Sequence, residues 1–341
     1  MRIFIHKIKH KLWENYKLYP PINYSNFRFL SDAEHSFNKI YSGKKKKIIE
    51  FEQILLMTGS STDYKFMISN VKHLKKRLQY DDIKFLISPT NIAKDNAMHY
   101  LEKDKDIEKK IKVVLPSVNF KKIKKFKEID INKKNKINLL FIGQKFYGKG
   151  GPICFEIAKQ LNKKKINFSF KFVSRDIPSN YPIPDNVEII DYKISEDIKY
   201  RLLESSDLFI FPVVQDSFGV YLECIETQCV IITTDIYDKK EIITNNKTGV
   251  VIPLEFQLYN LDNFGYVWKN WPDFQSFFIQ KFKKGYFEDI INQFVIKIEY
   301  FVNNMELINT YKKNIYEDSI GRFEFNNRKK RLIDIYSKID N

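Results

Sequence analysis

The segment INLLFIGQKFYGKGG, residues 137–151, decides the architecture. Ile137 to Ile142 is a short apolar run, the pattern of a buried parallel strand. Gly143 ends it, a loop carries Lys145 and Lys149, and Gly150-Gly151 opens a stretch whose spacing from Pro152 to Leu161 is helical. Glycines let a backbone approach an anion closely. A helix start adds free N–H groups and the positive end of a dipole, and the lysines add full charge. The spacing is neither that of a P-loop nor Gly-x-Gly-x-x-Gly. Taken alone, the loop reads equally well as a strand-to-helix turn with exposed lysines.

Downstream the alternation continues. Phe168 to Val173, Val187 to Ile190, Leu208 to Phe211, Val230 to Thr233 and Val250 to Ile252 read as strands. Glu196 to Ser205, Val220 to Thr227 and a short stretch around Glu241 read as helices. Strands alternating with helices at this spacing imply an α/β, doubly wound parallel sheet. Ligands of such sheets lie beyond the C-terminal strand ends, which puts Gly143 onward, Ser174 and Pro212 onward at one rim. Upstream, INKKNK (131–136) reads as a linker, so the boundary is expected near residue 134, between domains 1–134 and 135–320. In the first domain IIEFEQILL (48–56), IKFLISP (83–89) and IKVVLP (111–116) look like strands, with helices at 64–79 and 91–103. The aromatic-rich stretch 254–286 lacks clear periodicity and reads as an insertion. Residues 321–341 are expected to form a final helix that packs back on the first domain.

Composition narrows the function. The chain has 341 residues, 43% hydrophobic and 15% aromatic, enough for two cores and too apolar for a disordered chain. Lys+Arg number 58 against 42 Asp+Glu, a net +16 that favours anionic partners. The excess lies mostly in short lysine runs, which usually are solvated loops and helix ends. No zinc-finger spacing, RNP-like strand or heptad-linked basic region supports specific nucleic-acid binding. Cys154, Cys224 and Cys229 lack metal spacing and fit reduced thiols, so a cytoplasmic protein is expected. The histidines show no metal pattern either. The N-terminus is too interrupted by Lys and His for a signal peptide, and no apolar run reaches membrane-spanning length.

A second constellation is FPVVQDSFGVYLECIETQCVIITTD (211–235). The strand ending at Phe211 runs into an acidic loop, and a helix begins at Ser217-Phe218-Gly219 and bears Glu223. Carboxylates at Asp216 and Glu223 suit polyols, because each accepts hydroxyl hydrogen bonds. Asp216 alone reads equally as a helix cap. Together GQKFYGKGG, SSDLFIFP (205–212), DSFGVYLE and TTDIYDKKEIITNNKTGVVIP (233–253) resemble, in order and spacing, the donor domain of retaining GT-B glycosyltransferases of family 4 (glycosyl transferases group 1). Weaker echoes, ISPTNIAKDNA (87–97) and VVLPSVN (113–119), extend the resemblance upstream.

The resemblance implies the GT-B fold, two Rossmann-like domains facing a cleft, here with a shortened first domain and C-terminal helices. It implies transfer of a sugar from a nucleotide diphosphate donor to an acceptor hydroxyl, without a metal or other cofactor. Lys149, with Lys145, would hold the diphosphate and stabilise it as leaving group. Glu223 would bind the ribose, and Asp216 with the Phe218 and Gly219 backbone would hold the transferred sugar. Gly143, Gln144, Gly150 and Gln215 complete the expected donor contacts. Two departures stand out. Gln144 replaces the usual arginine, with Lys145 beside it as compensation. Gln215 has the spacing to Glu223 that the family gives a glutamate, while Asp216 has the acidic chemistry.

In the first domain His35, Glu52 and the loop Gly59 to Thr62 are candidates for a catalytic or acceptor-orienting group. The alternative for His35 is a packed, hydrogen-bonded residue. Asp104-x-Asp106 matches a metal-binding Asp-x-Asp in letters only and reads as solvated charge. The expected setting is bacterial surface polysaccharide or lipopolysaccharide assembly, with peripheral contact on the anionic inner face of the cell membrane and a glycan or lipid-linked acceptor. The rivals are a GT-B binding subunit that has lost catalysis and a basic nucleic-acid-binding protein.

Overall fold

The computed structural model describes residues 24–25, 33–41, 43, 45–58, 64–119, 121–123, 125–126, 128–131, 134–214, 219–254, 259–260, 265–266 and 271–339. The chain forms two compact units, one of residues 1–114 with 332–341, the other of residues 115–331.

The first unit holds a four-stranded parallel sheet of β1 (Ala33–Phe37), β2 (Lys46–Glu50), β3 (Ile83–Ser88) and β4 (Ile111–Val113), in that order. The helices are α1 (Tyr64–Leu78), α2 (Asn91–Tyr100) and α3 (Lys105–Lys110). Two sequence expectations are corrected here. The strand read at 48–56 ends at Glu50, and Ile54–Thr58 is a 3-10 helix. Four of those five helical residues are buried, so the second half of the apolar run is core without being strand. The helix read at 91–103 stops at Tyr100, and Asp104 caps a second helix by accepting from the Asp106 and Ile107 amides at 3.1 Å each. The strand Ala33–Phe37 went unread, because AEHSF has little apolar content.

A buried charge cluster ties this unit together. Lys47, 1% exposed, sits in the middle of the sheet, and its ammonium donates to Asp82 at 2.8 Å and to the Gly43 and Lys45 carbonyls. Arg77 at the end of α1 takes the same carboxylate with both terminal nitrogens, at 2.7 and 2.6 Å. Burial pushes the Asp82 pKa up, but the Arg77 and Lys47 hydrogen bonds hold it below the ordinary carboxylate value.

The second unit holds a six-stranded parallel sheet of β5 (Ile137–Gly143), β6 (Phe168–Ser174), β7 (Val187–Ile190), β8 (Leu208–Phe211), β9 (Val230–Thr234) and β10 (Gly249–Ile252). The spatial order is β10-β9-β8-β5-β6-β7, so the chain winds outward from β5, returns, and winds the other way from β8. That is the doubly wound arrangement expected from the sequence, and its switch point lies between β5 and β8. Every residue of β8, β9 and β10 is buried, as strands covered on both faces require. The helices are α4 (Gly151–Lys163), α5 (Glu196–Ser205), α6 (Gly219–Thr227), α7 (Lys239–Ile242), α8 (Trp271–Lys283), α9 (Glu288–Asn303), α10 (Glu306–Ile320) and α11 (Phe325–Ser337).

The division of the chain falls at Val114, earlier than the linker read at INKKNK. Residues 115–131 are bound into the second unit. The Val118 amide donates to the Phe323 carbonyl at 3.1 Å, the Asn119 amide to Glu226, and Ile129 exchanges two hydrogen bonds with the Asn309 side chain. In the polar run that follows, Lys134 pairs with the buried Asp207. The aromatic stretch expected as an insertion contains, in its second half, the helix α8, with Phe274 and Phe278 buried. In the other direction, Ile335 and Ile339 from the end of the chain pack with Ile48, Ile87 and Val114 in the core of the first unit. Among the described residues no helix is long and apolar enough to cross a membrane.

Candidate functional site

The loop after β5 is a built turn. The Lys149 amide donates to the Lys145 carbonyl at 2.9 Å, Gly150 to Tyr147 at 3.1 Å and Gly151 to Phe146 at 2.8 Å. One helical turn therefore separates Lys145 from Lys149 and puts both on the same side. Phe146, 1% exposed, anchors the loop from below among Phe155, Phe172 and Tyr181.

Gly150 has φ +79°, and a Cβ there would lie 2.0 Å from the Pro212 carbonyl oxygen. Backbone conformation and close approach both demand glycine, and the contact locks the α4 start against the segment leaving β8. Gly143 is also tight, with a Cβ position 2.6 Å from the Phe141 ring and 2.8 Å from Lys149 Cβ. Of the two, Gly150 holds the two strand ends of the switch point together.

Over this framework lies a pocket of about 410 Å³, within the range of small-molecule sites. Gly143, Gln144, Lys145, Lys149 and Glu223 line it, together with Ile142, Tyr192, Lys199, Phe211 and Val220. Five of the residues singled out from the sequence thus converge. Gly150 lies behind the loop as a structural glycine, and Gly219 is the first residue of α6, next to Val220. Gln215, Asp216 and Phe218, and the loop Gly59 to Thr62, lie outside the described residues.

Among the described residues that line it, the pocket has three lysines and one carboxylate. Burial depresses the Lys145 pKa below the usual lysine value; nearby Asp176 opposes this and Arg175 adds to it. Lys149 Nζ lies 6.0 Å from the Phe211 ring centre, at the limit of a cation–π contact. Glu223 is paired with Lys199, whose Nζ is 2.5 Å from Oε1. Glu226, on the same helix, is committed to the Asn119 amide and the Tyr200 hydroxyl and is structural. Lys199 and Tyr192 were not found from the sequence. Tyr192 lies two residues beyond the end of β7 and Lys199 in the first turn of α5, so the rim rule applied to β7 finds both.

In the first unit, His35 lies on β1. Its Nδ1 is hydrogen-bonded to the Tyr336 hydroxyl and its Nε2 lies 3.0 Å from Glu50. Nδ1 is thus held by the terminal helix, while Nε2 is buried beside Glu50 without a well-formed hydrogen bond. Glu52 donates its amide to Asn38 Oδ1 in the turn after β2.

Residues 120–255 match the family model of glycosyl transferases group 1. No curated protein matches the chain. Among solved structures, a glycosyltransferase from Rickettsia africae is 16% identical, with 86% of this chain and 76% of that one covered and a TM-score of 0.55. HepE from Anabaena, solved in complex with UDP-glucose, is 10% identical over 86% of this chain and 72% of its own, with a TM-score of 0.57. WaaG, a glycosyltransferase involved in lipopolysaccharide biosynthesis, is 14% identical over 85% and 77%, with a TM-score of 0.53. With two parallel-sheet units and a family segment that spans the pocket, the chain has the GT-B fold, and its second unit carries a glycosyl transferases group 1 domain.

Proposed function

We propose that the pocket between β5 and β8 binds a nucleotide diphosphate-sugar, and that the protein transfers the sugar to an acceptor hydroxyl with retention of configuration. The convergence of Lys145, Lys149 and Glu223 on one pocket at the switch point carries the reading. Two lysines one turn apart match the two charges of a diphosphate. A carboxylate on the far wall accepts from ribose hydroxyls, which lack charge and need acceptors.

As the glycosidic bond breaks, negative charge grows on the departing diphosphate. Lys149 and Lys145 stabilise it there, the task that a metal ion performs at other phosphate sites, so binding should survive chelation. Asp216 is assigned to the transferred sugar. Among the described residues that line the pocket Glu223 is the one carboxylate, and it is paired with Lys199 rather than poised as a nucleophile, which favours same-face transfer assisted by the leaving phosphate. His35 is assigned to packing rather than to proton transfer, since Nδ1 is hydrogen-bonded to Tyr336 and Nε2 is buried beside Glu50 within its own unit. The setting we favour is bacterial surface polysaccharide or lipopolysaccharide assembly, at the cytoplasmic face of an anionic membrane. The net charge of +16 and the likeness to WaaG support it.

Calorimetric titration with UDP, GDP, ADP and CMP in the presence of EDTA tests the reading. Micromolar binding of one diphosphate is expected, lost in Lys149→Ala and Glu223→Ala variants of unchanged melting temperature. Binding of none of the four would overturn it and favour a subunit that has kept the fold without the donor.

A further inference from the structure

The strand pairing that builds the pocket also places a cation beside one of its lining residues. β5 and β6 run parallel with Gly143 opposite Ser174, so the next residues, Gln144 and Arg175, leave the sheet side by side. With the Gln144 amide turned so that its oxygen faces the guanidinium, as these neighbours require, it accepts from both terminal nitrogens of Arg175, at 2.7 and 3.3 Å. Arg175 Nε donates to Asp176 at 3.0 Å.

A guanidinium carries five N–H groups in a fixed plane. Three are used in these bonds, which set the plane, and each terminal nitrogen keeps one more N–H. The fork is therefore oriented and still has donors to offer. Gln144 itself lines the pocket, and Lys145 lies close enough that Arg175 depresses its pKa. Like charges held together in this way are relieved by an anion between them. The carboxylate that lines the pocket, Glu223, is already paired with Lys199. Asp176 offsets part of the Arg175 charge, but from the Nε edge.

We infer that Arg175 binds the donor diphosphate, with Gln144 as its positioning residue, so that the second strand of the sheet supplies the guanidinium that the first loop lacks. The inference rests on the donor-pocket reading. It gives the uncharged Gln144 a use, since an arginine at both positions would put two guanidinium groups in contact. It also makes Asp176 a second positioning residue.

The test is calorimetry with UDP, GDP and ADP, each beside its nucleoside, on wild type, Arg175→Ala, Arg175→Lys, and Arg175→Ala combined with Gln144→Arg. For the diphosphate that wild type binds, Arg175→Ala should weaken affinity about tenfold and leave the nucleoside unaffected. Arg175→Lys should fall between, and the Gln144→Arg combination should recover most of the loss. Wild-type affinity in a folded Arg175→Ala protein, or equal loss for nucleoside and diphosphate, would overturn the assignment while leaving the donor pocket standing. If wild type binds no diphosphate, both fall.

Discussion

At the scale of single residues, the site divides into groups that we assign to the ligand and groups that shape the rim. Gly150 belongs to the second kind. Gly150→Ala would place a methyl 2.0 Å from the Pro212 carbonyl at φ +79°, so a loss of about 3 kcal/mol is expected, read as a lowered melting temperature. Lys145 belongs to the first kind and gives a pH signature. It binds an anion only when protonated, and burial holds its pKa below the ordinary lysine value. Diphosphate affinity should therefore start to fall at a lower pH than a solvated lysine would give. Lys145→Arg should remove that alkaline limb, because arginine stays charged. Titrations between pH 7 and 10 on both proteins check it, and coincident profiles would count against a role for Lys145.

Lys145, Lys149 and Glu223 were legible because each lies in a segment with its own spacing. Lys199, Tyr192 and Arg175 were not, since each sits in an unremarkable local sequence. The rule that ligands lie beyond the C-terminal strand ends points to the segments that carry them, and the β8-β5-β6-β7 order sets those ends side by side.

At the scale of elements, strands buried on both faces are plain in the sequence, while turns out of an apolar run are not. LFIF at 208–211 is wholly apolar and VIITT at 230–234 is β-branched throughout, and both are interior strands. IIEFEQILL is apolar at both ends around Glu50, Glu52 and Gln53, but its chain turns at Phe51 into a 3-10 helix, and period alone cannot separate those outcomes. The buried Lys47 was invisible for a different reason. A lysine run reads as solvated, and only the tertiary partners Asp82 and Glu34 make burial tolerable. Asp82 fixes the end of α1 to β2. Asp82→Asn would leave Lys47 and Arg77 without their shared partner and should cost about 3 kcal/mol in denaturant unfolding. The folded pKa of Asp82 is depressed, so its contribution is present above the ordinary carboxylate pKa and lost as pH falls through the lower folded value. Wild-type stability should drop below about pH 4 more steeply than that of the variant.

At the scale of the whole molecule, the chain closes its first unit with its last residues. Ile335 and Ile339 complete a core otherwise made by Ile48, Ile87 and Val114. Ile335→Ala should destabilise that unit by about 3 kcal/mol and expose it to limited proteolysis, with nucleotide binding by the second unit retained. If binding were lost with it, the units would not be separable in this sense. The central claim is that this GT-B chain works on a nucleotide-sugar through the pocket between β5 and β8. The most direct measurement is release of nucleoside diphosphate from a panel of nucleotide-sugars without acceptor, for wild type and for Lys149→Ala with Glu223→Ala. The account predicts slow, chelator-insensitive release from one donor by wild type and none by the folded variant. Equal release by both proteins, or none by wild type from any donor, would contradict it.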